Sequence, residues 1–508
     1  MTVSLNSSSA PLPHHPRSAS IPQLLDTSTA MPNFLSAAGN LVQGALSLAK
    51  GERTFKATFA PIQGAPLPRT GHSISVIKGR AYVFGGEDAD GLTADNDVHV
   101  IILPSSGVQE ADYYSIKAKP AAADGPVPAP RKGHSASVVG DDIFIYGGVL
   151  SEDDEQEAEG VVWVFSPVRS TWTALHPSNA SLPTPAPRSH HAFTATEEPR
   201  PKESTPRQPP SLPQQPPDPS LHVPEPPAPG SWGTLFISCG ASTNPIASGA
   251  PIHDLWTFDI RTRTWTSLAA PPGPARIGAA MAMVGTRLYL IGGSNGPAAT
   301  PDTSGGGNVV PSELCTLDVS GLWKFAEAGG PPARTQNSHW ELLPHEQGEG
   351  PDGNRTGASL LEYATGHGRH YLLLVGGGKD QDAVTAAERE LRGLAEPPAY
   401  WDDVWVYQLP ATAGSGASLK DATRRQTQLE TREGLWAEVL YQYVDAAGDV
   451  VRERPLSLSG TGAKGMGGRT GFAAARGTEV EGASVVVWGG VDELGKAFDD
   501  GWMISVSR

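Results

Sequence analysis

One motif returns six times along this 508-residue chain, and no other feature restricts its fold as much. Each copy opens with an arginine and a small or polar segment: Arg69-Thr-Gly-His72, Arg131-Lys-Gly-His134, Arg188-Ser-His-His191, Arg276-Ile-Gly-Ala279, Arg355-Thr-Gly-Ala358 and Arg469-Thr-Gly-Phe472. An apolar stretch and a glycine doublet follow, at Gly85-Gly86, Gly147-Gly148, Gly292-Gly293, Gly376-Gly377 and Gly489-Gly490, with Cys239-Gly240 in the third copy. Next comes a stretch often announced by aspartate (Asp97, Asp254, Asp403, Asp500), then one opening on Trp172, Trp265, Trp340 or Trp436. Alternating β-branched and aromatic residues bounded by Gly and Pro read as strands, so each copy predicts four. A four-stranded sheet with two apolar faces cannot bury both alone, and the copies must stack sideways around an axis. The expected fold is therefore all-β, a six-bladed propeller. Its sixth copy ends after Trp502 to Ser507 without a Trp strand, and Phe55 to Phe59, just upstream of Arg69, is expected to supply it and close the ring. In the first copy Tyr113 or Tyr114 takes the Trp position.

These residues resemble the kelch repeat, within the galactose oxidase/kelch propeller superfamily. The resemblance covers residues 53 to 508, leaving 1 to 52 as an N-terminal tail. In that tail Phe34, Ala38, Leu41, Ala45 and Leu48 form a stripe at helical spacing, predicting a short helix at about 34–50 that docks on the propeller rim or on a partner. Second glycines are 62, 92, 53, 84 and 113 residues apart, against about 50 for a kelch repeat. The insertions fall at 197–230, 319–339, 379–399 and 410–468. The first holds 13 prolines, which predicts a disordered or polyproline-like spacer. Within it Arg207-Gln-Pro-Pro210-Ser-Leu-Pro213 has the form that SH3 grooves bind.

Composition narrows the partners. A net charge of −16 argues against general affinity for nucleic acid or anionic lipid, and no apolar run approaches the ~20 residues of a membrane helix. The opening MTVSLNSSSAPLPHH lacks a basic segment leading into an apolar one, so the expected location is the cytoplasm, with the nucleus second. Cys239 and Cys315 lie in strand-like stretches and read as buried thiols.

No nucleophile elbow, zinc-protease motif or phosphate-binding loop is present, so no catalytic residue, cofactor or metal is assigned. His72, His134 and His191 occupy one repeat position that elsewhere holds Ala279, Ala358 and Phe472, which favours a structural role over a metal site. The recurring aspartates read most simply as caps of the third strand. The acidic run from Ser151 to Gly160 lacks the spacing of a calcium loop. The arginines are the sharper signal, since Arg69, Arg131, Arg188, Arg276, Arg355 and Arg469 all precede a channel-lining strand and converge on one mouth. The kelch resemblance implies a ligand role for them: in kelch propellers that bind acidic peptides, and in the plant kelch proteins that direct glucosinolate breakdown, matching arginines contact anions. The competing reading has them bonding to groups of neighbouring blades. Two functions follow as expectations. One is a non-enzymatic scaffold or adaptor that takes a protein partner, through an acidic motif, at the channel mouth and long loops. The other is a propeller enzyme or specifier-like protein acting on a small anionic metabolite, although the Glu-x-x-x-Asp-x-x-x-His iron motif of the plant specifiers is absent.

Overall fold

Each repeat copy folds as a short antiparallel meander whose alternate residues pack against the next copy. A computed structural model describes residues 55–62, 66–103, 112–151, 157–199, 232–295, 313–326, 339–343, 345, 350–351, 355–364, 368–379, 400–427, 432–444, 450–454, 466–477, 483–492 and 494–507, all within the unit Arg53–Arg508. The helix expected at 34–50, the SH3-type segment Arg207 to Pro213 and most of the Pro-rich insertion lie outside the described residues. Blade 1 is built from Ser73–Ile77, Arg80–Phe84, Val98–Ile102 and Asp112–Ile116, and blades 2 to 4 repeat the same order up to Glu341–Leu343. Blade 5 runs from Ser359–Ala364 to Trp436–Glu438. The six innermost strands neighbour one another in sequence and the sixth, Ala473–Arg476, returns to the first, so the ring is closed.

Closure takes place in blade 6 as the repeat count requires: Lys56–Ile62 pairs antiparallel with Gly501–Ser507, placing Phe59 opposite Ile504. The insertion before this blade is partly structured. Leu440–Val444 adds to the outer side of the N-terminal strand in parallel, and Val450–Arg454 pairs with it, giving a blade of six strands. Ahead of that hairpin, the helix Gly416–Gln426 starts at Ser415, whose hydroxyl accepts the Ser418 N–H. It is pinned by a buried ion pair between Asp421 and Arg369 at 2.7 Å. Among the described residues no helix is long and apolar enough to cross a membrane.

The core lies between blades rather than inside any one of them. Between blades 1 and 2, Tyr82 and Phe84 meet Ile143, Ile145, Trp163, Phe165 and Trp172. Trp172, almost fully buried, sits 4.9 Å from the Phe84 ring and 5.0 Å from that of Phe165. A side chain of this size removes a large apolar surface from water, and truncating one to alanine costs about 3–5 kcal/mol. Tyr113 holds the equivalent register, opposite Ile101 as Trp172 is opposite Phe165. It is 36% exposed and stacks on His99 instead of entering the core.

Candidate functional site

The residue two places after each repeat arginine has a left-handed backbone: Gly71, Gly133, His190, Gly278, Gly357 and Gly471 all have φ between 51° and 69°. That conformation turns their peptide groups along the ring. Gly71 N–H donates to Gly471 O, Gly133 to Gly71, His190 to Gly133, Gly278 to His190 and Gly357 to Gly278, at 2.7 to 2.8 Å. Five hydrogen bonds thus run through all six blades and form a collar at one end of the channel. Below the collar the inner strands line a cavity of about 520 Å³, with Ser75, Ser137, Thr194, Ala282, Leu361 and Ala475 as one layer.

The six arginines stand beside this collar, and all are buried. Their guanidinium groups turn into the blade. In blade 3, Arg188 makes a bidentate pair with Asp254 at 2.6 and 2.7 Å and donates to Cys239 O at 3.0 Å, while Trp256 Nε1 holds the same carboxylate at 2.9 Å. Blades 5 and 6 repeat this arrangement with Arg355, Asp403 and Trp405, and with Arg469, Asp500 and Trp502. Blade 2 uses Arg131, Glu157 and Trp163. Two blades depart. Arg69 reaches His99 Nε2 at 3.3 Å, and Asp97 pairs with Lys117 instead. Arg276 donates to the carbonyls of Gly292 and Pro272, and no described carboxylate pairs with it. The aspartates therefore do more than cap a strand: in blades 3, 5 and 6 they are the counter-ions of the arginines. The signal for this was the joint recurrence of Arg, Asp and Trp, which separate readings of each missed.

The same arginines join neighbouring blades through their backbone. The second doublet glycine donates to the carbonyl of the following blade's arginine: Gly86 to Arg131, Gly148 to Arg188, Gly240 to Arg276, Gly293 to Arg355 and Gly490 to Arg69, at 2.7 to 2.9 Å. At Gly85, Gly147, Gly292 and Gly489 a side chain on the first doublet residue would collide with that carbonyl.

The repeat histidines fill the space beside those glycines. A methyl on Gly489, Gly85 or Gly147 would lie 2.9 to 3.0 Å from Cε1 of His72, His134 or His191 respectively. Both ring nitrogens of His72 and of His191 lack a hydrogen-bond partner. Burial, together with the nearby Arg69, holds His72 down to about 3, and burial with the local arginine holds His134 and His191 well below the ordinary range. All three are neutral packing groups at pH 7. Cys239 breaks the doublet where the facing residue is Ala279, small enough to leave room for the thiol, and both belong to one apolar cluster. Burial raises the Cys239 thiol and pushes that of Cys315 up to about 11, so neither is a thiolate.

The loops that leave each doublet rise on the collar side, because the second strand of every blade runs towards the collar and the third runs away. Among the described residues they carry Glu87, Asp88, Asp90, Asp95, Glu157, Glu159, Asp492 and Asp499, against Lys496. Their tips also present apolar side chains: Leu92 is 65% exposed, Ile246 96% and Leu494 92%. Between the loops of blades 2 and 3 lies a cleft of about 330 Å³.

Residues 52–199 match the KLHDC2/KLHL20/DRC7 Kelch-repeats domain. The chain is similar to the Rho GTPase-activating protein gacHH of Dictyostelium discoideum, 27% identical over 170 residues, which are 33% of this chain and 10% of that protein. It is 26% identical over 267 residues to the human Rab9 effector protein with kelch motifs, covering 49% of this chain and 56% of the relative. It is 29% identical over 133 residues to the N-(sulfonatooxy)prop-2-enimidothioate sulfolyase of Thlaspi arvense, covering 26% and 34%. The chain thus spans between a tenth and just over half of the length of these relatives.

Proposed function

We propose that this kelch-repeat six-bladed β-propeller is a protein-interaction scaffold that receives its partner on the collar face. The observation that carries the reading is the contrast between a ring welded by repeated clamps and a set of dissimilar loops raised on it, three of them apolar at the tip and three of them acidic among the described residues. A rigid frame with variable loops is how scaffolds place recognition chemistry. Similarity to a kelch-containing Rab9 effector supports the same reading.

We propose a basic rather than an acidic motif on the partner. An anion approaching the mouth meets guanidinium groups that are buried and engaged, and loops carrying an excess of carboxylates. A basic segment with apolar side chains complements the face better. The test is affinity capture from native lysate with the intact protein and with a variant carrying Leu92→Ser, Ile246→Ser and Leu494→Ser, all exposed and outside the core. One or more abundant proteins lost in the variant is the expected result. Equal capture by both proteins rejects the collar face, and no capture by either rejects the scaffold. In that last case the channel cavity and small anionic molecules become the place to look, consistent with the similarity to the sulfolyase.

A further inference from the structure

The cleft between blades 2 and 3 has two rigid walls. One is the short pairing of Arg131–Lys132 with Val149–Leu150, the other that of Arg188–Ser189 with Ala241–Ser242, extended by Thr243 N–H donating to Pro187 O at 3.0 Å. Val149, Leu150, Pro187 and Pro245 give the space apolar sides, and Gly147-Gly148 keep its floor open. The charges around it are unequally engaged. Arg188 is neutralised by Asp254 and Glu157 by Arg131, with Trp163 Nε1 donating to the same Glu157 carboxylate. Glu159, exposed at the rim, is the one carboxylate of the lining that no described side chain pairs. Ile246, at the tip of the adjoining blade 3 loop, stands next in sequence to Pro245.

The geometry points to this cleft as the anchor pocket for a lysine or arginine side chain of a basic, aliphatic-flanked segment on the partner protein, an assignment that rests on the scaffold reading above. A long cationic side chain has an apolar stem and a charged head, which matches apolar walls leading to one free carboxylate. The charge selects a cation over an anion, and Ile246 takes an apolar neighbour of the anchoring residue.

The probes are two synthetic decapeptides of the same length, one alternating lysine with leucine and one alternating glutamate with leucine. Each is titrated into the intact protein with labelled Val, Leu and Ile methyl groups and followed by NMR. Expected is binding of the lysine peptide, with methyl shifts concentrated at Val149, Leu150 and Ile246. Raised salt should weaken it, and Glu159→Gln should weaken it about threefold to fivefold, as for an exposed ion pair. Leu150→Ser should weaken it independently of salt. Binding of the glutamate peptide at the same methyls, lysine-peptide shifts located elsewhere, or affinity untouched by both substitutions would each overturn the assignment. Lysate capture separates the two readings: partners retained equally by wild type and by Glu159→Gln/Leu150→Ser remove the anchor and leave the scaffold standing.

Discussion

Blades 3 and 4 begin with the same arginine and finish with different bonds. Arg188 is held by Asp254, whose carboxylate is in turn held by Trp256. In blade 4 the corresponding third-strand positions are Glu313 and Cys315, and Arg276 closes on two backbone carbonyls. The difference teaches that the clamp is a unit of three. The indole N–H aims the carboxylate, the carboxylate neutralises the guanidinium, and the guanidinium draws in the carbonyl of the first doublet residue. With a thiol in place of the indole, nothing aims the longer glutamate. The two blades also differ at the facing position, His191 against Ala279, and that change leaves room for Cys239 in the blade before.

The largest effect should come from breaking the complete clamp. Asp254→Ala leaves a fully buried guanidinium without its counter-ion, and urea unfolding should report a loss of about 3–5 kcal/mol. Arg276→Met strands only two carbonyl acceptors and should cost about 1–3 kcal/mol. Equal losses would mean that blade 4 is clamped by some other route, and the contrast drawn here fails.

Acid should act on the histidine side of the ring first. His72, His134 and His191 are neutral and buried when folded, with pKa values below those of the unfolded chain. The unfolded state then binds more protons than the folded state below pH ~6.5. Stability is fully present above that pH and declines as pH falls towards about 3 for His72, by up to ~1.4 kcal/mol per pH unit for each histidine. Phe472 sits at the equivalent position of blade 6, so His191→Phe should remove that histidine's share of the slope, up to ~1.4 kcal/mol per pH unit, between pH 6 and 4.5. An unchanged slope would place the acid sensitivity elsewhere.

The Cys239 and Ala279 pair offers a finer test. Ala279→His overpacks the space the thiol occupies and should cost about 1–3 kcal/mol. Adding Cys239→Gly recreates the glycine–histidine match found at Gly147 and His191 and should recover most of that loss, a coupling readable in a double-mutant cycle. Cys239→Gly alone should be close to neutral, within about 1 kcal/mol, because relief of a left-handed backbone at a non-glycine residue offsets the lost packing.

Much of the architecture was legible because it is periodic. The Arg and Gly doublet marks count the blades, and the missing sixth Trp strand points to Phe55 to Phe59 as its replacement, which pairs as expected. The hairpin Leu440–Val444 with Val450–Arg454 falls within the insertion 410–468 and follows no repeat mark, and its parallel docking on the N-terminal strand depends on an edge formed only after the ring closes. The arginines were legible as a set but not in orientation. A repeated cation is equally compatible with facing a ligand and facing a carboxylate, and the partner of Arg188 lies 66 residues further along the chain.

Sequence alone thus determined the number of blades, their strand order and the chain end that closes them, because each is a matter of counting units that cannot bury both faces singly. Tertiary structure decided where the charges go. The second strand brings its doublet back beside the arginine, and the third strand starts there, so Asp254, Asp403 and Asp500 arrive within hydrogen-bond reach of side chains already removed from water. In that setting a guanidinium bonds to the carboxylate it is buried with, and the loops beyond the collar are left to meet a partner.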